Sequence, residues 1–322
     1  MNINLMPIIY FALLNLGIIL LGYVFIKKTW LWQSWLLMIG CILVIYLIFL
    51  GEHPIIKMLA LIATTFTCMK VIAVTESYSK KVLTLTFKQW VVFAGGWAGM
   101  RAQPFETLGA APLPGAWRLI RFGVTRVIAG AVLIFLAHKL VLLPWNPELI
   151  YILTSAGLLI GLSLILHFGL LGISAGTWRL SGVNTYLLFR QPVKALSLTE
   201  FWSKRWNIAF SEMTSIAIFR PLRHRTGPVV ALMAAFIFSG LLHEIALSMP
   251  VNHGYGLPTL YFIIQGLMVL LEKALVQKKP LFLQNRVIAH TWTLFWVIAP
   301  MPLLFHSEFI KQVVWPLAGL RY

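Results

Sequence analysis

Residues 228–250 read PVVALMAAFIFSGLLHEIALSMP, an apolar run of membrane-spanning length interrupted by His243 and Glu244. About twenty apolar residues in a helix cross the hydrocarbon core. A charged side chain at that depth costs roughly 2.5–3.5 kcal/mol on insertion scales, so this pair is expected to face protein or a wet cavity. On a helix, Ser239 lies four residues before His243 and shares its face, whereas Glu244 is turned by about 100°. Ser239 is therefore the better intrahelical partner for the imidazole, and Glu244 is not expected to orient it. A neutral, desolvated imidazole can take a proton from a hydroxyl. The same ring could instead tie two helices together, and the position alone fits both readings.

The rest of the chain places that run in a membrane protein. Hydrophobic residues make up 60% of the 322 positions and charged residues 11%, against about 45–50% and about 25% in soluble domains. Apolar runs at 7–26, 30–50, 55–74, 123–144, 149–174, 228–250, 258–275 and 288–306 follow one another with no soluble insert. The expected fold is all-α: a polytopic helical bundle of about eight spans in a single membrane-embedded domain, residues 1–322, lying in a lipid bilayer. Residues 87–100, FKQWVVFAGGWAGM, are too short to cross and read as a re-entrant or interfacial piece. No cleavable signal peptide is expected, because the first apolar run lacks a basic leader and is long enough to span. Cys41 and Cys68 lie singly in apolar runs with no CxxC, and read as small buried hydrophobes.

Charge adds orientation rather than a nucleic-acid function. The net +17 comes from 26 Lys and Arg against nine acids, all Glu. The basic residues sit in short loops, as the positive-inside rule requires, so no nucleic-acid partner is implied. Lys27, Lys28, Lys80, Lys81, Lys88, Arg101, Arg118, Arg121, the 176–227 segment, Lys278, Lys279 and Arg286 are then cytoplasmic. Loops 51–54, 145–148 and 251–257 carry neither Lys nor Arg. With 87–100 not crossing, both termini fall outside.

The 176–227 segment contains FWSKRWN at 201–207. Ser197 and Glu200 form an S-x-x-E capping box. From there Trp202, Trp206, Ala209 and Met213 fall on one helical face, and Glu200, Ser203, Lys204, Asn207 and Ser211 on the other. The period predicts one amphipathic helix at the membrane surface, with Trp rings at headgroup level.

Several chemistries are poorly served. The eight histidines are scattered singly, without the His-rich boxes of a di-metal desaturase. The absence of Asp leaves no diphosphate-binding motif for a prenyltransferase and no Ser-His-Asp triad, and no GxSxG is present. A transporter with His243 as proton relay remains open: intramembrane charges are present, although no internal repeat is found.

Taken in order, FWSKRWN at 201–207, FRP at 219–221, SGLLHE at 239–244 and QGLMVLLEK at 265–273 resemble the membrane-bound O-acyltransferase superfamily, specifically its wax synthase-like branch. WAGMRAQPF at 97–105 looks like an N-terminal motif of bacterial members. The resemblance covers roughly residues 95–275. It implies that His243 matches the family's catalytic histidine and Asn207 its second near-invariant polar residue. Ser239, Glu244 and Trp206 would support them. Lys204 and Arg205 stand where the sterol and diacylglycerol branch has an acidic residue, which argues against that branch.

The implied reaction is acyl transfer from acyl-CoA, as co-substrate, to a long-chain alcohol. Another hydroxyl acceptor, such as a secondary metabolite, sugar or lipid, would suit the same fold. His243 would act as general base, with Asn207 donating a hydrogen bond to the oxyanion or to an orienting partner. Lys204, Arg205, Arg220, Arg223 and Arg225 would receive the CoA phosphates, although positive-inside topology accounts for them equally well. Neither a metal nor another cofactor is called for. The expected location is a bacterial inner membrane or a eukaryotic endoplasmic reticulum.

Overall fold

Local chemistry sets the helix ends. The structure, a computed structural model, describes residues 5–277 and 285–321. Lys278 and Lys279, assigned above to the cytoplasmic side, lie outside the described residues. His53 caps the Pro54–Tyr78 helix by accepting from the Ile55 N–H, with Pro54 in the first turn. Asn146 caps the next-but-one span, accepting from Glu148 and Leu149, and Asn285 caps the last, accepting from Val287 and Ile288. Each side-chain acceptor satisfies N–H groups that the first helical turn leaves free.

Among the described residues, eight helices are long and apolar enough to cross a membrane: Leu5–Lys28, Leu31–Ile48, Pro54–Tyr78, Ala116–Leu140, Pro147–Leu180, Pro228–Val251, Leu257–Gln277 and Arg286–Leu304. No strand occurs among the described residues. This is the expected multi-pass all-α architecture. The fourth span starts seven residues earlier than its apolar run, because Arg118 and Arg121 stay helical and exposed after the left-handed Gly115. Charges end a hydrophobic count but do not end a helix.

The chain forms two compact units, one of residues 1–103 and 191–306, the other of residues 104–190 and 307–322. In the first, Pro54–Tyr78 is the most deeply buried span. Asn15 reaches across to Thr64 (3.1 Å), and Gly22 lies so close to Val71 that a Cβ there would sit 2.5 Å from its methyl. Cys41 and Cys68 are buried free thiols, as expected.

The 87–100 piece contains a ten-residue helix, Phe87–Gly96, opened by a Thr86–Gln89 capping box. At about 1.5 Å per residue it covers roughly half of the hydrocarbon core. The indole of Trp90 donates to the Ile19 carbonyl (2.8 Å). Lys70, buried in the middle of its span, donates to the carbonyls of Phe93 (3.2 Å) and Ala94 (2.7 Å). An ammonium is thus spent on the negative end of a short helix.

The second unit rests on close helix contact. Ala116, Gly123, Gly130 and Ala137 recur every seventh residue and are all buried. They meet Gly161, Gly169 and Gly176 on the Pro147–Leu180 helix, backbone against backbone. Small residues at such crossings replace the hydrophobic drive that lipid cannot provide. A Cβ at Gly130 would lie 2.5 Å from the Gly161 oxygen. Gly130→Leu is expected to destabilise the protein by about 1–3 kcal/mol, read as a lower thermal midpoint in detergent. An unchanged midpoint would show that this contact carries no weight.

Candidate active site

His243 is the last α-helical residue of Pro228–His243, and a π-helical turn, Glu244–Ser248, follows it. Such turns recur at functional positions. The Nδ1 atom lies 2.7 Å from the Ser239 carbonyl oxygen. A carbonyl only accepts, so Nδ1 carries the proton, and the neutral ring presents an unprotonated Nε2. The expected partner residue is found, but through its backbone; the Ser239 hydroxyl donates instead to Ala235 (2.9 Å). Phe262 lies 4.4 Å and Phe210 5.5 Å from the imidazole, centroid to centroid. The residue as a whole is half-buried.

Glu244 turns away, as the helix geometry predicts. Its Oε1 accepts from the Gly256 N–H (3.0 Å), the Thr259 N–H (3.0 Å) and the Thr259 hydroxyl (2.8 Å). The carboxylate therefore fixes the start of Leu257–Gln277, the helix that carries Phe262 to the imidazole. Its Oε2 is enclosed and takes no hydrogen bond among the described residues.

The single amphipathic helix expected from Ser197 to Met213 is not formed. Residues 198–205 make an α-to-π turn, Trp206 is extended, and Asn207 is left-handed at φ 40°, ψ 65°. A new helix, Ile208–Thr214, begins there. Asn tolerates the left-handed region better than most residues, and its Oδ1 caps the new helix by accepting from the Phe210 N–H (3.2 Å). That leaves the amide nitrogen as a donor, with no hydrogen bond among the described residues. The capped helix places the Phe210 ring against His243, so Asn207 and His243 are linked through one side chain.

The break also corrects the tryptophan stripe. Trp202 and Trp206 pack inside, Trp202 against Phe236, Tyr261 and Phe262, Trp206 stacked on Phe201. Period alone could not show that the helix stops midway. The Asn cap, a standard start signal, was the available clue. The capping box at Ser197 is half present: Ser197 accepts from the Glu200 N–H, but the Glu200 carboxylate takes the Leu196 N–H (2.9 Å). That bond, with Arg205 beside it, holds the Glu200 carboxyl below the usual carboxylate range.

Four residues that the site reading passed over join the motifs. Glu272, buried in its span, accepts from the Leu198 N–H (2.9 Å) and the Thr199 N–H (3.3 Å). Gln265 accepts from the Trp202 indole (3.2 Å) and donates to the Trp296 carbonyl (2.6 Å). Arg101 pairs with buried Glu212 (3.0 Å), tying WAGMRAQPF to the helix that Asn207 caps. Glu272 is an acid inside an apolar run, the same signal that singled out His243.

The basic candidates divide. Arg205 is committed to Glu200 (2.7 Å) and to the Gln191 carbonyl (3.2 Å). Lys204, Arg220, Arg223 and Arg225 are exposed and make no ion pair among the described residues. The three arginines share the Arg220–Thr226 helix, which leads through Gly227 into the span bearing His243.

Comparison with known proteins matches the segment that carries these residues. Residues 186–264 match the Membrane bound O-acyl transferase family. A probable long-chain-alcohol O-fatty-acyltransferase 2 of Arabidopsis thaliana is 26% identical over 144 residues, 42% of this chain and 42% of that protein. The long-chain-alcohol O-fatty-acyltransferase of Simmondsia chinensis is 33% identical over 72 residues, 20% of each chain. A probable long-chain-alcohol O-fatty-acyltransferase 6 of Arabidopsis thaliana is 26% identical over 161 residues, 41% of this chain and 46% of that protein. The chain thus matches less than half the length of these relatives. Over residues 186–264 the chain is similar to the membrane-bound O-acyltransferase family, as its motifs anticipate.

The cap makes a separable prediction. Asn207→Asp keeps the side-chain acceptor and tolerates the left-handed backbone, whereas Asn207→Ala loses both. Alanine is expected to cost about 1–2 kcal/mol and aspartate much less, compared as thermal midpoints. Equal midpoints for the two variants would remove the cap from the account.

Proposed function

We propose that the protein transfers a fatty acyl group from acyl-CoA to an alcohol hydroxyl, releasing an ester and free CoA. The observation that carries the reading is the His243 tautomer: a base nitrogen held ready inside an apolar span, in the segment that matches acyltransferases. Nε2 takes the hydroxyl proton as the oxygen attacks the thioester carbonyl. The tetrahedral intermediate then collapses, the C–S bond breaks, and the imidazolium returns the proton to the departing thiolate. The Ser239 carbonyl keeps the ring oriented and stabilises its transient positive charge. Phe210 and Phe262 limit water beside it.

The free amide nitrogen of Asn207 is the candidate donor to the developing oxyanion. Arg220, Arg223 and Arg225 are the candidate receivers of the CoA phosphates, with Lys204 exposed on the same segment. From residue 228 to residue 243 is fifteen residues of helix, about 22 Å of rise. A donor gripped by its phosphates at the arginines therefore needs an extended arm to bring its thioester to the base. The named activity of the relatives, fatty acyl transfer to long-chain alcohols, supports an alcohol acceptor.

Ester formation by the purified protein from acyl-CoA and a long-chain alcohol tests the reaction. His243→Ala is expected to lose at least about 10²-fold in rate while accumulating in the membrane normally. Retention of more than about a tenth of the activity would remove His243 as the base. Neutralising two of the three arginines is expected to raise the KM for acyl-CoA with little change in kcat, and added salt should do the same to the wild type. Full insertion with an unchanged KM would show that the arginines do not hold the donor.

A further inference from the structure

Lys57 is a buried lysine of the first unit without a polar partner among the described residues. It is 2% exposed, lies in the first turns of Pro54–Tyr78, and makes no hydrogen bond or ion pair among the described residues. Its ammonium sits 5.2 Å from the centre of the Tyr46 ring. A cation–π contact offsets only part of the desolvation of a buried ammonium. The position adds to the deficit, because the start of a helix is its positive end. Lys70, on the same helix, shows the satisfied alternative: two carbonyl oxygens within 3.2 Å at the negative end of a neighbouring helix.

The surroundings indicate what is missing. The Tyr46 hydroxyl donates to the Asn252 side-chain oxygen (3.0 Å), and the Tyr255 hydroxyl lies 3.5 Å from that same oxygen. These bonds bring the 51–54 and 251–257 loops to one end of the unit. Neither loop contains Lys or Arg. No acid among the described residues answers the charge: neither Glu52 nor Glu244 makes an ion pair, and the Glu244 Oε1 is engaged with Gly256 and Thr259. Glu244 is also the residue after His243, so this polar cluster adjoins the candidate base along the chain.

We propose that Lys57 and Tyr46 form a subsite for the carboxylate or phosphate group of an amphiphile, its acyl tail lying among the apolar spans. Two sources carry that chemistry. One is an acidic group on the hydroxyl acceptor itself, which rests on the acyl-transfer reading; the other is an anionic lipid of the bilayer, which does not.

The test uses the full chain in neutral phosphatidylcholine nanodiscs, with palmitate, hexadecyl phosphate and hexadecanol as probes. The wild type is expected to bind the two anions more tightly than the alcohol. Lys57→Met should weaken anion binding by about tenfold or more, and Lys57→Arg should largely preserve it. With no probe present, Lys57→Met is also expected to unfold at a higher temperature than the wild type, since an uncompensated charge has been removed. Lys57→Gln is read instead if the methionine variant fails to accumulate. No preference for anions in the wild type, or equal anion affinity after substitution, overturns the proposal.

The arms then separate the sources. A raised KM for ω-hydroxypalmitate with an unchanged KM for hexadecanol assigns the subsite to the acceptor. Unchanged KM values, with an anionic phospholipid retained by wild type but not by Lys57→Met in native mass spectrometry, assign it to the bilayer. If no acyl transfer is observed at all, the binding measurements still decide the subsite.

Discussion

A helix end packed away from water leaves up to four backbone groups unpaired, and each must find a partner in protein. The first unit is organised around that constraint. Lys70 serves the carbonyls at the end of Phe87–Gly96. Glu272 serves the N–H groups at Leu198 and Thr199, and Glu244 those at Gly256 and Thr259. In all three cases the sign matches the helix dipole, cation to the C-terminal end and carboxylate to the N-terminal end. These ionisable groups, costly in lipid by themselves, hold helix ends in place.

The candidate active site is a consequence of those helix ends. A continuous helix through 197–213 would leave Phe210 unplaced. The left-handed Asn207 restarts the chain, and the restarted helix delivers Phe210 to one side of the imidazole. Glu244 anchors the helix that delivers Phe262 to the other. The Ser239 carbonyl then selects the tautomer. The imidazole, the two aromatic walls and the Asn207 amide come from three helices. This makes Asn207 a structural residue as well as a chemical candidate: its oxygen is used by the fold and its nitrogen is not.

The motifs separated in sequence are therefore one packed assembly. Gln265 and Glu272, seven residues apart on one helix, hold the tryptophan and the N-terminal turn of FWSKRWN. Arg101 holds the following helix through Glu212. The second unit achieves its packing differently, with small residues every seventh position. A search for whole repeated segments does not register a period carried by four small residues alone.

Composition and apolar run lengths determined the class, the eight spans and the short non-crossing piece, because the bilayer permits a spanning helix little else. The ionisable-residue rule singled out His243, and helix geometry separated Glu244 from it. Tertiary structure decided which atom of Ser239 faces the imidazole, where the 197–213 helix breaks, and which buried charges are satisfied. The last of these depends on backbone ends meeting side chains 12–74 residues away. A periodic pattern records which face is apolar; it does not record where a helix stops or what meets it there.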